Sequence, residues 1–388
     1  MTNRVFSVFI MVAFLMGQLS APLFAQAEFT IKARQAIIID AESGAVLFSH
    51  NADEEMYPAS MSKIMTLIMI FKALKAGTLK LTDEFLVSEN AWRTGGAPSR
   101  TSAMMVPINT KEPLEQLLKG IIVESGNDAC IAVAEGMAGS EAVFAGKMEE
   151  EARRIGLTKS TFRNSTGLFN PDHKTTAREM AMLARHLVRE YSDYYPMFSQ
   201  REFNYRKHRF FNRNSLLTLS GIDGIKTGHL KEAGFGIVAS AKQGNRRLIL
   251  VINGLDKAEE RKNEALKMFE WAFRTFGDFK LYDIGEVVGQ ARVWGGNRMY
   301  VPLDGGAIPV SVLLPRLPVN QRLKAEIIYN GPLKAPIKKG DKVATLRVTS
   351  STKAINEVPL YAAEDIEPAG VMRRGIDTLV HMTLSWAL

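Results

Sequence analysis

Two side chains in the first quarter of the chain have the types and spacing for acyl-transfer chemistry. Ser60 and Lys63 are three residues apart, and residues 64–71 after them are apolar at almost every position. If this stretch is a helix, the hydroxyl and the amine lie on one face, one turn apart, at its N-terminal end. A helix that is apolar all round is a buried helix. The pattern therefore predicts a serine nucleophile beside an amine that accepts its proton.

The same four-residue pattern occurs again near the other end of the chain, so spacing alone does not identify the nucleophile. Ser350 and Lys353 also fit it, and about one or two such matches are expected by chance in a chain of this composition. Ser350 follows a predicted strand, whereas Ser60 opens an apolar helix. The helical context favours Ser60.

Two further short motifs contain groups that such a nucleophile needs around it. Ser125-Gly126-Asn127 breaks a helical pattern at its glycine, which places a hydroxyl and an amide on a loop between helices. Lys226-Thr227-Gly228 lies at the end of a short predicted strand, where glycine lets a ligand approach the backbone closely. Each motif alone is more often an ordinary turn or strand end. The three motifs in this order, on a buried helix, on a loop between helices and at a strand end, form a specific pattern that no single motif provides.

Strand patterns lie at both ends of the N-terminal two-thirds of the chain, with helical patterns between them. One predicted hairpin covers residues 35–40 and 45–48, and another covers 234–241 and 247–252. Residues 110–190 are mostly helical in pattern. The simplest packing is one antiparallel sheet built from both ends, with helices against it and a separate helical lobe. We therefore predict an α+β fold.

Composition divides the chain into four segments. Residues 1–27 combine a positive start, a short apolar stretch and a small-residue cleavage pattern, which predicts a signal peptide, with an uncleaved anchor as the alternative. Residues 28–278 form the predicted α+β domain, and residues 285–365 form a predicted small all-β domain. Residues 371–388 have an amphipathic pattern with a tryptophan and two arginines. This favours a helix in a membrane surface over one packed on its own domain.

Charge and metal-binding residue types exclude several classes of function. The 388 residues carry a net charge of +8, but the Lys and Arg residues are scattered, so nucleic acid is not an expected partner. The single cysteine, Cys130, excludes an intrachain disulfide and a thiolate zinc cluster, and we expect it to be a small buried hydrophobe. The six histidines are dispersed. No metal and no cofactor are predicted.

The three motifs together resemble those of the low-molecular-mass penicillin-binding proteins, the serine-type D-alanyl-D-alanine carboxypeptidases of peptidase family S11. The chain is also similar to this family at residues 125–130, 212–214, 223–229 and 336–341, and the resemblance covers essentially the whole chain after the signal peptide. Gly126 stands where class A β-lactamases have Asp. The resemblance implies a β-lactamase/transpeptidase-like catalytic fold. It also implies an enzyme that removes the terminal D-Ala from peptidoglycan pentapeptides and binds penicillin covalently.

The resemblance implies a role for each reactive group. Ser60 would attack the carbonyl between the last two D-alanines, Lys63 would accept its proton, and Ser125 would pass a proton to the departing amine. Asn127 would hold neighbouring groups in place. The backbone N–H groups of Ser60 and His229 would form the oxyanion hole.

A carboxypeptidase must also recognise a free carboxylate. Lys226 and Thr227 are the leading candidates, with Gly228 allowing close approach of the backbone. Arg213 and Arg261 resemble family arginines near this end of the site. The alternative for both is an ordinary surface arginine in a basic protein.

Two other functions remain open on the residues alone. A class A-like β-lactamase needs a base for fast deacylation, and no Glu-x-x-x-Asn sequence lies between residues 127 and 226. A non-catalytic cell-wall-binding scaffold on the same fold would be expected to lose at least one reactive side chain, yet Ser60, Lys63, Ser125 and Lys226 are all present.

The export signal and the terminal amphipathic segment predict where the protein acts. We expect a periplasmic enzyme attached to the outer face of the inner membrane through residues 371–388. Its expected partners are peptidoglycan pentapeptides, β-lactam antibiotics and the membrane surface.

Overall fold

The computed structural model describes residues 29–316, 323–349 and 355–370. The predicted signal peptide, the terminal amphipathic segment and the Ser350/Lys353 pattern lie outside these residues. Two compact units are present. One comprises Glu28–Glu42 and Leu47–Ala272, and the other includes Ser43–Val46 and the described residues between Phe273 and Gly370.

A mixed set of long and very short strands runs through the first unit. In chain order they are β1 (Gln35–Asp40), β2 (Val46–His50), β3 (Glu55–Met56), β4 (Glu84–Leu86), β5 (Lys111–Pro113), β6 (Thr175–Thr176), β7 (Glu202–Tyr205), β8 (His208–Phe211), β9 (Ile222–Leu230), β10 (Gly234–Gln243) and β11 (Arg246–Leu255). The main sheet has the order β2-β1-β11-β10-β9, and β11 pairs antiparallel with both β1 and β10. The prediction of one antiparallel sheet built from both ends of the unit is confirmed.

Six α-helices accompany this sheet in the residues that the structure describes. They are α1 (Lys63–Lys75), α2 (Leu114–Lys119), α3 (Asn127–Ala138), α4 (Glu141–Ile155), α5 (Ala177–Glu190) and α6 (Ala258–Thr275). Helix α5 packs on β1 and β11, while α1 packs against α3, α4 and α5. Because α1 has neighbours on several sides, its apolar residues from Ile64 to Phe71 are almost all fully buried, as the all-round apolar pattern predicts.

Strand β9 differs from the sequence prediction in length. A short strand was expected around Lys226, but antiparallel pairing with β10 continues from Ile222 to Leu230. The glycines of this stretch do not end the strand, because its backbone groups remain paired with β10. The Lys-Thr-Gly motif therefore lies within an edge strand of the main sheet, not at its end.

The second unit is built from short strands around its own core. They are β12 (Phe276–Tyr282), β13 (Gly289–Trp294), β14 (Tyr300–Asp304), β15 (Val310–Pro315), β16 (Lys324–Ile328), β17 (Leu333–Lys334), β18 (Lys342–Thr349) and β19 (Ile355–Ala362). Alternating residues such as Ala344, Leu346 and Val348 point into an apolar cluster with Val301 and Leu303. The predicted all-β architecture of the C-terminal part is confirmed.

No single helix in the described ranges is long and apolar enough to cross a membrane. Helices α3 and α4 have sufficient length and apolar composition only when taken together, and the pair is bent by 83°.

Candidate active site

The residues around Ser60 form a tight turn that leads directly into α1. Residues Ala59–Ser62 make one 3-10 turn, and α1 begins at Lys63. Lys63 is completely buried and Ser60 is partly exposed. The Nζ atom of Lys63 lies 3.0 Å from Oγ of Ser60. The predicted one-turn spacing thus brings the amine into hydrogen-bond contact with the hydroxyl.

The Ser-Gly-Asn motif supplies the second contact of the buried amine. Ser125 ends the helical turn Gly120–Glu124 in a left-handed conformation, with φ of 68°, and Asn127 begins α3. Lys63 Nζ donates to Oδ1 of Asn127 at 2.6 Å, while Nδ2 of Asn127 donates to Oγ1 of Thr101 at 2.9 Å. Because the second bond uses the amide nitrogen, it orients the amide oxygen toward Lys63.

A loop that the sequence analysis did not single out supplies the third contact. The carbonyl oxygen of Thr166 accepts a hydrogen bond from Lys63 Nζ. Oδ1 of Asn164 accepts from the backbone N–H of Thr166 at 3.2 Å and of Gly167 at 2.7 Å, which closes the loop. Gly167 has φ of +77°, and a Cβ there would lie 2.0 Å from the carbonyl oxygen of Ala59. The sequence Asn164-Ser165-Thr166-Gly167 is the local signal for this turn, although it does not reveal the partner of the carbonyl.

Close packing of a glycine brings strand β9 against the nucleophile turn. A Cβ on Gly228 would lie 3.0 Å from both Met61 Cγ and the carbonyl oxygen of Pro58. The neighbouring Lys226 and Thr227 are buried, at 2% and 5% exposure. The three sequence motifs therefore meet in one place, with the strand packed directly on the turn that carries Ser60.

Burial changes the proton affinity of both site lysines. Removal from water is the main cause that lowers the pKa of Lys63 to about 8, with the positive charge of Arg213 acting in the same direction and Cys130 in the opposite one. The pKa of Lys226 is also well below its ordinary value. Burial is the largest cause, and the positive charges of Lys63 and Arg213 act in the same direction. A larger fraction of the Lys63 amine is therefore neutral near pH 7 than for an exposed lysine.

Two small side chains near these lysines behave differently. The Oγ atom of Ser125 is buried and has no hydrogen-bond partner within the described ranges, so it can bond a group that enters the site. Cys130 is fully buried, and burial raises the pKa of its thiol to about 12. A thiol with so high a pKa is not a nucleophile at neutral pH, which agrees with the predicted small buried hydrophobe.

The two arginines predicted near the carboxylate end have different surroundings. Arg213 forms a salt bridge with Glu124, the residue before Ser125. Arg261 donates from Nε to the carbonyl oxygen of Ala258 at 3.3 Å, and its guanidinium carbon lies 5.4 Å from the ring centre of Phe235. Only Arg213 has its charge balanced by a paired acid, since no acidic side chain in the described ranges lies within salt-bridge distance of Arg261.

His229 lies on the exposed side of β9, beside these groups. Its side chain is exposed, and its ring stacks on Phe235, with ring centres 4.0 Å apart and planes inclined by 18°. Phe235 was not singled out from the sequence, because the contact depends on the register of β9 and β10, which pairs His229 with Phe235.

A partly exposed serine beside a buried lysine, with a second serine and a second lysine around them, defines a serine acyltransferase site of the penicillin-binding-protein type. The chain belongs to the peptidase S11 family of D-alanyl-D-alanine carboxypeptidases, whose sequence profile matches residues 22–257. A second profile, the C-terminal domain of penicillin-binding protein 5, matches residues 276–368.

Individual relatives are similar over most of their length. The chain is 39% identical over 377 residues to the D-alanyl-D-alanine carboxypeptidase DacC of Escherichia coli strain K12, covering 95% of this chain and 94% of that protein. Penicillin-binding protein 5 of Haemophilus influenzae has a similar structure, with a TM-score of 0.74, 32% identity and coverage of 90% and 100%. Penicillin-binding protein D2 of Listeria monocytogenes, in its cefotaxime-bound form, has a TM-score of 0.58, 26% identity and coverage of 64% and 100%.

Proposed function

We propose that this protein is a serine-type D-Ala-D-Ala carboxypeptidase that removes the terminal D-Ala from peptidoglycan pentapeptides through an acyl-enzyme on Ser60. The observation that carries the proposal is the contact of 3.0 Å between Ser60 Oγ and Nζ of the fully buried Lys63. The family membership of the chain and the names of its relatives support the same activity.

The hydrogen bonds of Lys63 favour its action as the base. A neutral amine has two N–H bonds and one lone pair. The oxygens of Asn127 and Thr166 can only accept, so they take both N–H bonds. The lone pair is then left for the hydroxyl proton of Ser60. Because burial lowers the pKa of Lys63 to about 8, a useful fraction of the amine is neutral near pH 7.

Acylation then proceeds with each proton accounted for. The Oγ atom of Ser60 bonds to the carbonyl carbon as its proton moves to Lys63, and the backbone N–H groups of Ser60 and His229 stabilise the oxyanion. The C–N bond to the last residue breaks as the Ser125 hydroxyl passes its proton to the departing amine of D-Ala and takes up the proton that Lys63 received from Ser60. The absence of a partner for Ser125 Oγ among the described residues supports this role. Water then attacks the ester carbonyl, the bond to Ser60 Oγ breaks, and a proton of the water restores the Ser60 hydroxyl.

The free carboxylate of the substrate is bound at the other end of the site. Lys226 and Thr227 lie next to Gly228, which packs on the nucleophile turn, so a ligand bound to Ser60 lies within their reach. Arg213 and Arg261 add positive charge at this end. Their charges attract a carboxylate more strongly than an amide.

Penicillin would acylate Ser60 by the same steps, because its strained amide resembles the acyl centre of D-Ala-D-Ala. The cefotaxime-bound structure of the Listeria relative supports β-lactam binding at this fold. Neither a class A-like β-lactamase nor a non-catalytic scaffold is favoured, since the curated relatives are named carboxypeptidases.

The test of this function uses wild type and S60A. Wild type should release D-Ala from diacetyl-Lys-D-Ala-D-Ala and gain the mass of a fluorescent penicillin on the peptide that contains Ser60. S60A should do neither, with a loss of about 10⁴-fold or more in rate, because the proposed ester forms on Oγ of Ser60. Labelling of S60A would assign the nucleophile to another residue.

An extracytoplasmic location follows from a peptidoglycan substrate, and we infer that residues 371–388 attach the protein to the membrane surface. Deleting them should move the protein from the membrane to the soluble fraction while penicillin labelling persists. Retention of the shortened protein on membranes would contradict the attachment.

A further inference from the structure

One aromatic ring joins the Lys-Thr-Gly strand to an arginine of helix α6. Phe235 on β10 lies opposite His229 on β9, and the two rings stack with centres 4.0 Å apart. The guanidinium carbon of Arg261 lies 5.4 Å from the centre of the same Phe235 ring. A single side chain therefore contacts both a residue of the motif strand and an arginine at the carboxylate end.

The backbone around this ring is constrained on both sides. The pairing of β10 with β11 shifts register between Phe235 and Ile237, with one extra residue on β11 opposite this part of β10. Gly234 has φ of +74°, a conformation that favours glycine. At Gly236, a Cβ would lie 2.7 Å from Oδ1 of Asn253. Both neighbours of Phe235 thus favour glycine, so the backbone on each side of the ring is closely packed.

Arg261 is the more suitable of the two arginines for binding a carboxylate. Arg213 is already paired with Glu124, whereas no acid lies within salt-bridge distance of Arg261 in the parts of the chain that the structure describes. Contact between an aromatic ring and a guanidinium leaves the in-plane N–H groups available for bidentate binding of a carboxylate. Its Nε bond to Ala258 does not involve the two terminal nitrogens.

We propose that Phe235 is a positioning residue that holds Arg261 for recognition of the terminal carboxylate of the substrate, and so sets the preference for a free carboxylate over a carboxamide. This inference rests on the proposed carboxypeptidase function. Restricting a long arginine side chain before binding reduces the conformational entropy lost when the carboxylate arrives. The effect is specific to ligands with a negative charge at that position.

The experiment compares diacetyl-Lys-D-Ala-D-Ala with its C-terminal carboxamide, by release of D-Ala or D-Ala amide. F235L keeps an apolar side chain but removes the aromatic face. For the acid, it should raise KM about tenfold with kcat within about twofold, as expected for lost ground-state binding. For the carboxamide, kcat/KM should stay within about twofold of wild type. F235Y keeps the ring and should restore the preference for the acid.

Two further variants separate positioning from a general structural effect. R261Q should raise KM for the acid as F235L does. The double variant should have a KM little higher than either single variant, because both residues act on the same interaction. F210L is the matched control, since Phe210 stacks on Phe203 at 5.1 Å on the β7–β8 hairpin, and it should leave the acid-to-amide ratio unchanged.

The possible failures are distinguishable. Equal losses on both substrates in F235L, or additive effects with R261Q, would overturn the positioning role while leaving the carboxypeptidase function intact. An acid-to-amide ratio of kcat/KM that is unchanged in both F235L and R261Q would also overturn the positioning role. A wild-type protein that releases no product from either substrate would overturn the proposed function, and this inference with it.

Discussion

The proposed base and the arginines proposed to bind the substrate carboxylate have opposite surroundings. At the nucleophile end, formed by Ser60, Lys63 and Asn127, the amine is fully buried and has three oxygen partners. The two arginines proposed for the carboxylate end, Arg213 and Arg261, are exposed or partly buried and contact a single acid or an aromatic ring, although Lys226 at the same end is buried. Burial tunes a group that must gain and lose a proton. Partial exposure suits groups that only attract charge.

The choice of residue types follows the same division. A lysine amine shifts its pKa readily when buried, so it can serve as a base, whereas arginine stays protonated in either setting. Changes at the nucleophile end should therefore act mainly on kcat and on the pH profile. Changes to Arg261 should act mainly on KM.

The largest effect after loss of the nucleophile is expected from K63M. A methionine fills much of the same volume but has no lone pair to accept the Ser60 proton, so kcat/KM for D-Ala release should fall about 10³-fold. Steady-state kinetics on diacetyl-Lys-D-Ala-D-Ala would measure this. A loss below about tenfold would transfer the role of base to another group.

Thr66 provides a matched control for this variant. It lies one turn further along α1, and its Oγ1 donates to the carbonyl oxygen of Ser165 at 2.6 Å, next to the Thr166 carbonyl that Lys63 contacts. T66V removes a buried contact to the same loop without touching Ser60. Activity within about fivefold of wild type would show that K63M acts through the base and not through the loop.

Smaller losses of activity are expected from substitutions at the carboxylate end. The variants of the two arginines should differ in whether KM or the pH profile changes. R261Q should raise KM about tenfold, because one charge-assisted contact to the carboxylate is lost. R213Q should change KM less, since Glu124 already pairs with that charge. Arg213 also lowers the pKa of Lys63, so its removal should shift the rise in activity to higher pH. Identical KM changes in both variants, with no pH shift, would contradict this division.

Sequence reasoning predicts the nucleophile end better than the carboxylate end. The spacing of Ser60 and Lys63 on one helix face is a local property, and so is the loop that holds Ser125 and Asn127. Their meeting depends on packing, but the order of motifs predicts it. The Thr166 contact is different, because a backbone carbonyl has no residue signature, although Asn164 and Gly167 mark the turn.

Contacts between residues that are distant in sequence cannot be predicted from local sequence patterns. The stacking of His229 on Phe235 depends on the exact pairing of β9 with β10, and the sequence predicted a shorter β9. The salt bridge from Arg213 to Glu124 joins residues 89 positions apart, so no local pattern indicates it. Long-range register and side-chain partners are set by the packed fold and not by local propensity.

The central claim is that Ser60 is activated by a neutral, buried Lys63, and the most direct test is the pH dependence of acylation. The second-order rate constant for labelling by a fluorescent penicillin would be measured from about pH 6 to about pH 10 in wild type. Because the neutral amine is the active form, the rate should rise with pH through about 8, the pKa of Lys63, and reach a plateau above it. A rate that is constant over this range, or that falls as pH rises through 8, would contradict the account.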